Sequence, residues 1–361
     1  GGTVTNCYNT GTVTATGSIA SVGGVCGCSI ELISNCYNIG TVTATSSDTD
    51  ISGICGYDLG PVTNCYYLAD AEDENGGKTA DQFASGEVAY LLNGSKSEGD
   101  TVHFYQNLSG ENADALPVLD NTHGVVYTGE DCKTGGTSYT NNADSIAEGK
   151  IHDFDENGFC TKDSTHYQPA TLNEATGNYE ISNAGQLYWF AGLVNGTLDG
   201  VEQNTLANAI LTANITVNEN LLDSLQYDAK NNVSNGSDFI SWTPIADWMG
   251  NHTTQYSGTF DGNNKTVSGL YFNGDSTCIG LFGSSESDGN IKNVGVVDSY
   301  FKGNNFVGGV CGRNDGTITN CYNAGNLTAI ESSATIGGIC GYNGGTVTNC
   351  YNTGTVTATG S

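Results

Sequence analysis

A 29-residue period runs through this chain. The triplet Asn-Cys-Tyr recurs with its cysteine at Cys7, Cys36, Cys65, Cys321 and Cys350, and neighbours within each cluster stand 29 residues apart. A second series, Cys-Gly, places Cys26, Cys55, Cys311 and Cys340 at the same interval. Self-similarity of this kind marks a solenoid, in which one unit cannot bury its own apolar face and neighbours must stack. Each unit holds three short runs, of the types "VGGVCG", "TITNCYN" and "TVTAT", separated by Gly and Asn. Val, Ile, Thr and Tyr between such breakers are strand and turn chemistry. The expected fold is all-β, a parallel β-helix of three-strand coils spaced at about 4.8 Å.

Within the second run, Val4 and Cys7 stand three residues apart, where a plain strand sends them to opposite faces. If both face inward, a bend belongs at Thr5 and Asn6, and Asn tolerates the left-handed backbone such a bend needs. Asn6, Asn35 and Asn64 would then stack as an internal ladder.

The stretches "NNFVGGVCGRNDGTITNCYNAGNLTA" (304–329), "GTFDGNNKTVSGLYFNG" (258–274) and "CIGLFG" (278–283) resemble the GLUG-type repeats of bacterial secreted and cell-surface proteins. The resemblance covers residues 1–68 and roughly 179–361. It implies a right-handed parallel β-helix in an extracellular, structural or adhesive protein, and it supplies no catalytic residues.

Two segments carry helix signals instead. "TADQFASGEVAYLLNG" has Thr79 and Gln82 spaced as a capping box, with Ala84, Val88, Leu91 and Leu92 on one face before Gly94. "NAGQLYWFAGLVNG" repeats the scheme with Asn183 and Gln186 as caps and Leu187, Phe190, Ala191 and Val194 as its stripe. Both stripes are expected to cover open β-helix ends. Residues 1–68 therefore read as the C-terminal coils of one stack and 69–128 as a capping region with a helix over 79–94. Residues 129–178 read as a polar acidic connector, and 179–361 as a capping helix followed by a new stack. Residues 1–18 return unchanged at 344–361. This predicts that copies join head-to-tail, the last coil of one unit continuing into the first coil of the next.

Each Cys-Gly cysteine precedes its Asn-Cys-Tyr partner by ten residues, and the coil at 278–296 has Phe282 and Val294 in their places. Both cysteines are present or both are replaced. This favours disulfides within coils, Cys26 with Cys36, Cys55 with Cys65, Cys311 with Cys321 and Cys340 with Cys350, over free thiols or bonds between coils. Cys7 would find its partner across the unit junction, and Cys132 could pair with Cys160. Cys28 and Cys278 have no assigned partner. Disulfides imply an oxidising, extracellular setting.

Other chemistry is sparse. Asp153, Asp155 and Asn157 match the opening of a calcium loop, but Ser164 stands where a bidentate acid belongs. A plain polar turn and a remnant metal knuckle at His152 and Cys160 are the alternatives. No cofactor is otherwise expected. The five histidines are scattered and no catalytic motif is present, so the chain is not expected to be an enzyme. With 39 acidic and 10 basic residues, a net charge of −29 opposes nucleic acid and anionic lipid. No apolar run approaches the roughly 20 residues that cross a bilayer. Thr12, Thr14 and Thr16, repeated at Thr41, Thr43 and Thr45, resemble the arrays of ice-binding solenoids, though Thr also suits exposed strands. Asn107 and Asn251 begin Asn-x-Ser/Thr sites. The expected role is an extracellular structural or adhesive fibre. A module binding cell-surface glycans or a receptor is the alternative, ahead of ice binding or polysaccharide chemistry.

Overall fold

The computed structural model describes residues 2–17, 20–94, 101–147, 149–248 and 254–359. Asn251 lies outside them. The chain divides into two compact units, Gly1–His152 and Asp153–Ser361, and both are built on parallel β-helix coils.

In the first unit, strands Val4–Thr5 and Tyr8–Asn9 pair in parallel with Ile33–Asn38, which pairs in turn with Val62–Leu68. The register is the sequence period itself, with Cys65 opposite Cys36 and Tyr66 opposite Tyr37. Three further parallel pairs close the coils: Val13–Ala15 on Val42–Ala44, Ser21–Gly23 on Asp50–Ser52, and Cys26–Ser29 on Cys55–Asp58. The run expected as one strand at the Gly-Gly step is thus two. Successive amides of Val25 and Cys26 both donate to the Ile54 carbonyl, and those of Val310 and Cys311 both donate to Ile339. Two N–H groups converging on one oxygen turn the chain at that point, so the coil has an extra corner.

Below the last coil, the expected helix over 79–94 forms as two pieces, α1 (Ala80–Ala84) and α2 (Glu87–Leu92). The Thr79 capping box closes as read, with both reciprocal bonds present. The break comes at Gly86, whose φ of 94° and closeness to Leu108 and Val126 suit no other residue. Phe83, Val88 and Leu92 pack with Tyr37 and Phe104 into a separate small core. The part of the connector in this unit is folded: Tyr127–Asp131, Thr137–Thr140, Ile146–Ala147 and Lys150–Ile151 form a four-stranded sheet.

The second unit opens on the antiparallel pair Thr171–Asn173 and Asn178–Ile181, then runs in parallel through Asn208–Leu211, Thr259–Ser268 and Asn290–Gly303 to the last coils. Its helix α3 (Ala184–Asn195) starts where the Asn183 side chain accepts from the Gln186 amide at 2.9 Å. A one-faced stripe was expected, yet every residue from Ala184 to Val194 is buried. Phe190 meets Tyr256 and Phe260, and Phe282 packs against both of these. This aromatic layer gives way to cysteine along the stack, since Phe282 stands in register with Cys311, and Cys311 with Cys340. A four-residue helix, α4 (Leu221–Ser224), is capped from a distance by Asp298, whose carboxylate accepts the amides of Leu221 and Leu222 at 2.9 Å each.

Candidate functional site: coil edges and cysteine columns

The repeated asparagine makes the bend that the sequence requires. Asn6, Asn35 and Asn64 have φ of 52°, 52° and 49°, and Asn293, Asn320 and Asn349 have 56°, 54° and 55°. The turn brings Ile33 and Cys36 to the same fully buried side. Each later coil donates from its Asn to the earlier one, Asn35 to Asn6 and Asn64 to Asn35 at 3.3 Å each, and Asn349 to Asn320 at 3.3 Å. The ladder therefore forms, but not inside. Asn64 is exposed and Asn6 and Asn35 are half-buried, because an αL corner turns the side chain away from the core.

A second asparagine column was not anticipated. Asn9 donates to Asn38 at 2.8 Å and Asn323 to Asn352 at 2.7 Å, so this column runs in the opposite direction to the first. Each of these side chains also bonds the backbone of its own turn, Asn38 to the Gly40 carbonyl at 2.9 Å and Asn352 to Gly354 at 2.9 Å. The glycine is required here: a Cβ on Gly40 would lie 1.9 Å from the Gly11 oxygen, and on Gly354 1.9 Å from that of Gly325. The recurrence of Asn two residues after Cys7, Cys36, Cys321 and Cys350, four of the five Asn-Cys-Tyr cysteines, was the available signal. Tyrosines form a third column, Tyr8 on Tyr37 at 5.1 Å and Tyr322 on Tyr351 at 5.0 Å, with planes 6° and 2° apart.

Side chains of the outermost described coils are more exposed than their counterparts one coil inward. Tyr8 is 45% and Tyr351 57% exposed, whereas Tyr37, one coil inward, is 1% exposed. Val356 is 40% exposed where its register partner Leu327 is 1% exposed.

The cysteines also stand in columns. Cys26 is opposite Cys55, Cys36 opposite Cys65 and Cys311 opposite Cys340, and the Cys321 amide lies 3.4 Å from the Cys350 sulfur. These eight and Cys7 are free thiols. Each Asn-Cys-Tyr thiol donates to the carbonyl two residues before it, as Cys36 to Ser34 at 3.2 Å and Cys321 to Thr319 at 3.3 Å. Three of the Cys-Gly thiols donate two residues forward, Cys26 to Cys28 at 3.1 Å, Cys55 to Tyr57 at 3.5 Å and Cys311 to Arg313 at 3.0 Å. Burial pushes Cys311 well up and Cys321 up to about 12. Cys278, buried at a φ of 60°, is pushed up to about 11 by burial, and exposed Cys28 faces Tyr57 in register.

Cys132 is half-buried in the first unit and Cys160 buried in the second. Asp155 accepts the amides of Asn157 and Phe159 at 2.9 Å, and Asp153 accepts the Thr161 hydroxyl at 3.1 Å. The Asn157 carbonyl receives the Gly185 amide at 2.7 Å, so this turn seats the start of α3. The threonine rows are exposed and in register, with Thr14 and Thr43 hydroxyls 3.1 Å apart. Asn107 is engaged internally: its side chain accepts the Gly124 amide at 2.9 Å.

Where the first stack ends, a cavity of about 1370 Å³ is lined by Ile54, Cys55, Cys65, Tyr67 and Asp81 among others. Beside it Asp73 accepts the Tyr67 hydroxyl at 2.6 Å and the amides of Gly77 and Asn75 at 2.8 and 2.9 Å. The tyrosine bond first, then the amides, holds the Asp73 carboxyl below its ordinary value, and the same bond with burial pushes Tyr67 up to about 12. A depressed carboxylate contributes stability above its unfolded value of about 3.9 and loses it as pH falls through the lower folded value. Tyr67→Phe is therefore expected to lower the thermal midpoint at pH 7 and to converge with the parent as the pH falls through the lowered Asp73 value. Parallel melting curves separated equally at every pH would refute the link.

Residues 332–357 match the GLUG motif, which bears out the resemblance at the last coil. Halomucin of Haloquadratum walsbyi (strain DSM 16790 / HBSQ001) is 32% identical over 76 residues, which are 21% of this chain and 1% of that protein. No solved structure matches. No helix among the described residues is long and apolar enough to cross a membrane.

Proposed function

We propose that this chain is the repeating segment of an extracellular β-helix rod with a non-catalytic, structural or adhesive role, its units joined head-to-tail. One observation carries the reading: the sequence shared by the two open edges already pairs on opposite sides in the two units. Tyr351 stacks on the preceding Tyr322, whereas its counterpart Tyr8 stacks on the following Tyr37. Asn349 donates back to Asn320, and its counterpart Asn6 accepts from Asn35. Asn352 accepts from Asn323, and its counterpart Asn9 donates to Asn38. Superposing residues 345–359 of one copy on 2–16 of the next gives each of these tyrosine and asparagine side chains both partners at the 29-residue spacing. It also covers Val356 and Tyr8, and pairs strand edges that proteins seldom leave bare.

The test compares the full chain with a chain carrying the 343-residue period twice, using light scattering and negative-stain micrographs. Rods whose axial repeat follows the number of periods are expected. Discrete particles whose length does not grow with added periods would remove the mechanism. If those particles bound immobilised cell-surface glycans, the module reading would replace it.

A further inference from the structure

We propose that Cys36 and Cys65 form an oxidisable pair bridging two adjacent coils, and that Cys65 is the sulfur at which a small-molecule disulfide enters. The two residues face each other in parallel register. Directly opposed strand residues have Cα atoms about 4.8 Å apart, inside the roughly 4.4–6.8 Å span of disulfides. The ten-residue partner of Cys65, Cys55, belongs to a different strand, which pairs with that of Cys26.

The two thiols differ in access and in acidity. Cys36 is fully enclosed, whereas Cys65 lines the cavity at the end of the stack. The contact with Cys36 holds Cys65 below the usual thiol range, while the same contact and burial push Cys36 up. Attack by the more acidic sulfur, which lines the cavity, followed by resolution from the fully enclosed one is the order this arrangement favours.

With oxidised glutathione as the disulfide, the Cys65 thiolate attacks one sulfur and forms a mixed disulfide. The glutathione S–S bond breaks, and one glutathione leaves as a thiolate that is protonated by solvent. Cys36 then loses its proton to solvent base, attacks the Cys65 sulfur and expels the second glutathione. Two protein thiols are oxidised and one external disulfide is reduced to two thiols. The product staples the last full coil to the coil above it, at the end of the stack that carries the cavity.

Peptide mapping of the full chain after timed exposure to oxidised glutathione tests this, with thiols blocked in acid at each time. A mixed disulfide on Cys65 should appear first and decay into a Cys36–Cys65 crosslink. Cys36→Ser should leave the Cys65 adduct persistent, and Cys65→Ser should leave Cys36 unmodified. Because Cys7 also neighbours Cys36, the mapping is repeated in Cys7→Ser, where the crosslink should form undiminished. A dominant Cys55–Cys65 or Cys7–Cys36 crosslink, or unchanged thiols at both positions, would overturn the proposal. The parent protein alone decides the pairing, so a variant that fails to fold does not remove the test.

Discussion

Alanine in place of Phe260 is expected to destabilise the second unit by about 3–5 kcal/mol. Phe260 is fully buried and lies between Phe190 of α3 and Phe282 of the next coil, at centroid distances of 6.1 and 5.2 Å. Burying the ring is worth about 1.5–3 kcal/mol, and each aromatic pair adds about 0.5–1.5 kcal/mol. Relaxation is restricted because α3 is buried on all sides and the strand of Phe260 is pinned in register by Ile291. Trp189 and Trp242 lie in the same core, so urea unfolding followed by tryptophan fluorescence reports this unit. A loss below about 1 kcal/mol would mean that the coil collapses onto the void and that the aromatic layer does not anchor the stack.

The coil was legible because its period is written in the covalent chain. Once Cys7, Cys36 and Cys65 are seen 29 residues apart, parallel stacking follows, and the register of Cys36 on Cys65 realises that interval. Phe282 and Val294 were likewise placed by counting, and Phe282 does stand opposite Cys311. What escaped depended on neighbours rather than on period. The break between α1 and α2 comes from the packing of Leu108 and Val126 on Gly86, residues distant in sequence. The full burial of α3 follows from Trp242, Tyr256 and the loop at Gly158 closing over faces that the stripe left polar or small. The Asn9 and Asn38 column was missed because Asn two residues before Gly already has a sufficient local reading as a turn. Spacing paired cysteines ten residues apart, whereas stacking sets each beside its own copy in the next coil; only the folded register distinguishes these arrangements.

Valine in place of Asn320 is expected to cost about 3 kcal/mol or more, whereas glycine at the same position should cost about 1–2 kcal/mol. Asn320 sits at a φ of 54° between two ladder partners, donating to Asn293 at 3.1 Å and accepting from Asn349 at 3.3 Å. Both substitutions remove these exposed bonds, each worth about 0.5–1.5 kcal/mol net. Only valine adds backbone strain, since a β-branched side chain is disfavoured in the left-handed region and glycine is not. The difference between the variants therefore reports the conformational term, and the loss in the glycine variant reports the ladder together with the roughly 0.5–1 kcal/mol that the freedom of glycine in the unfolded chain costs. Equal losses would assign the whole effect to the side-chain bonds and make the left-handed corner incidental. A glycine variant as stable as the parent would leave the ladder without energetic weight, and with it one of the three columns proposed to run from unit to unit.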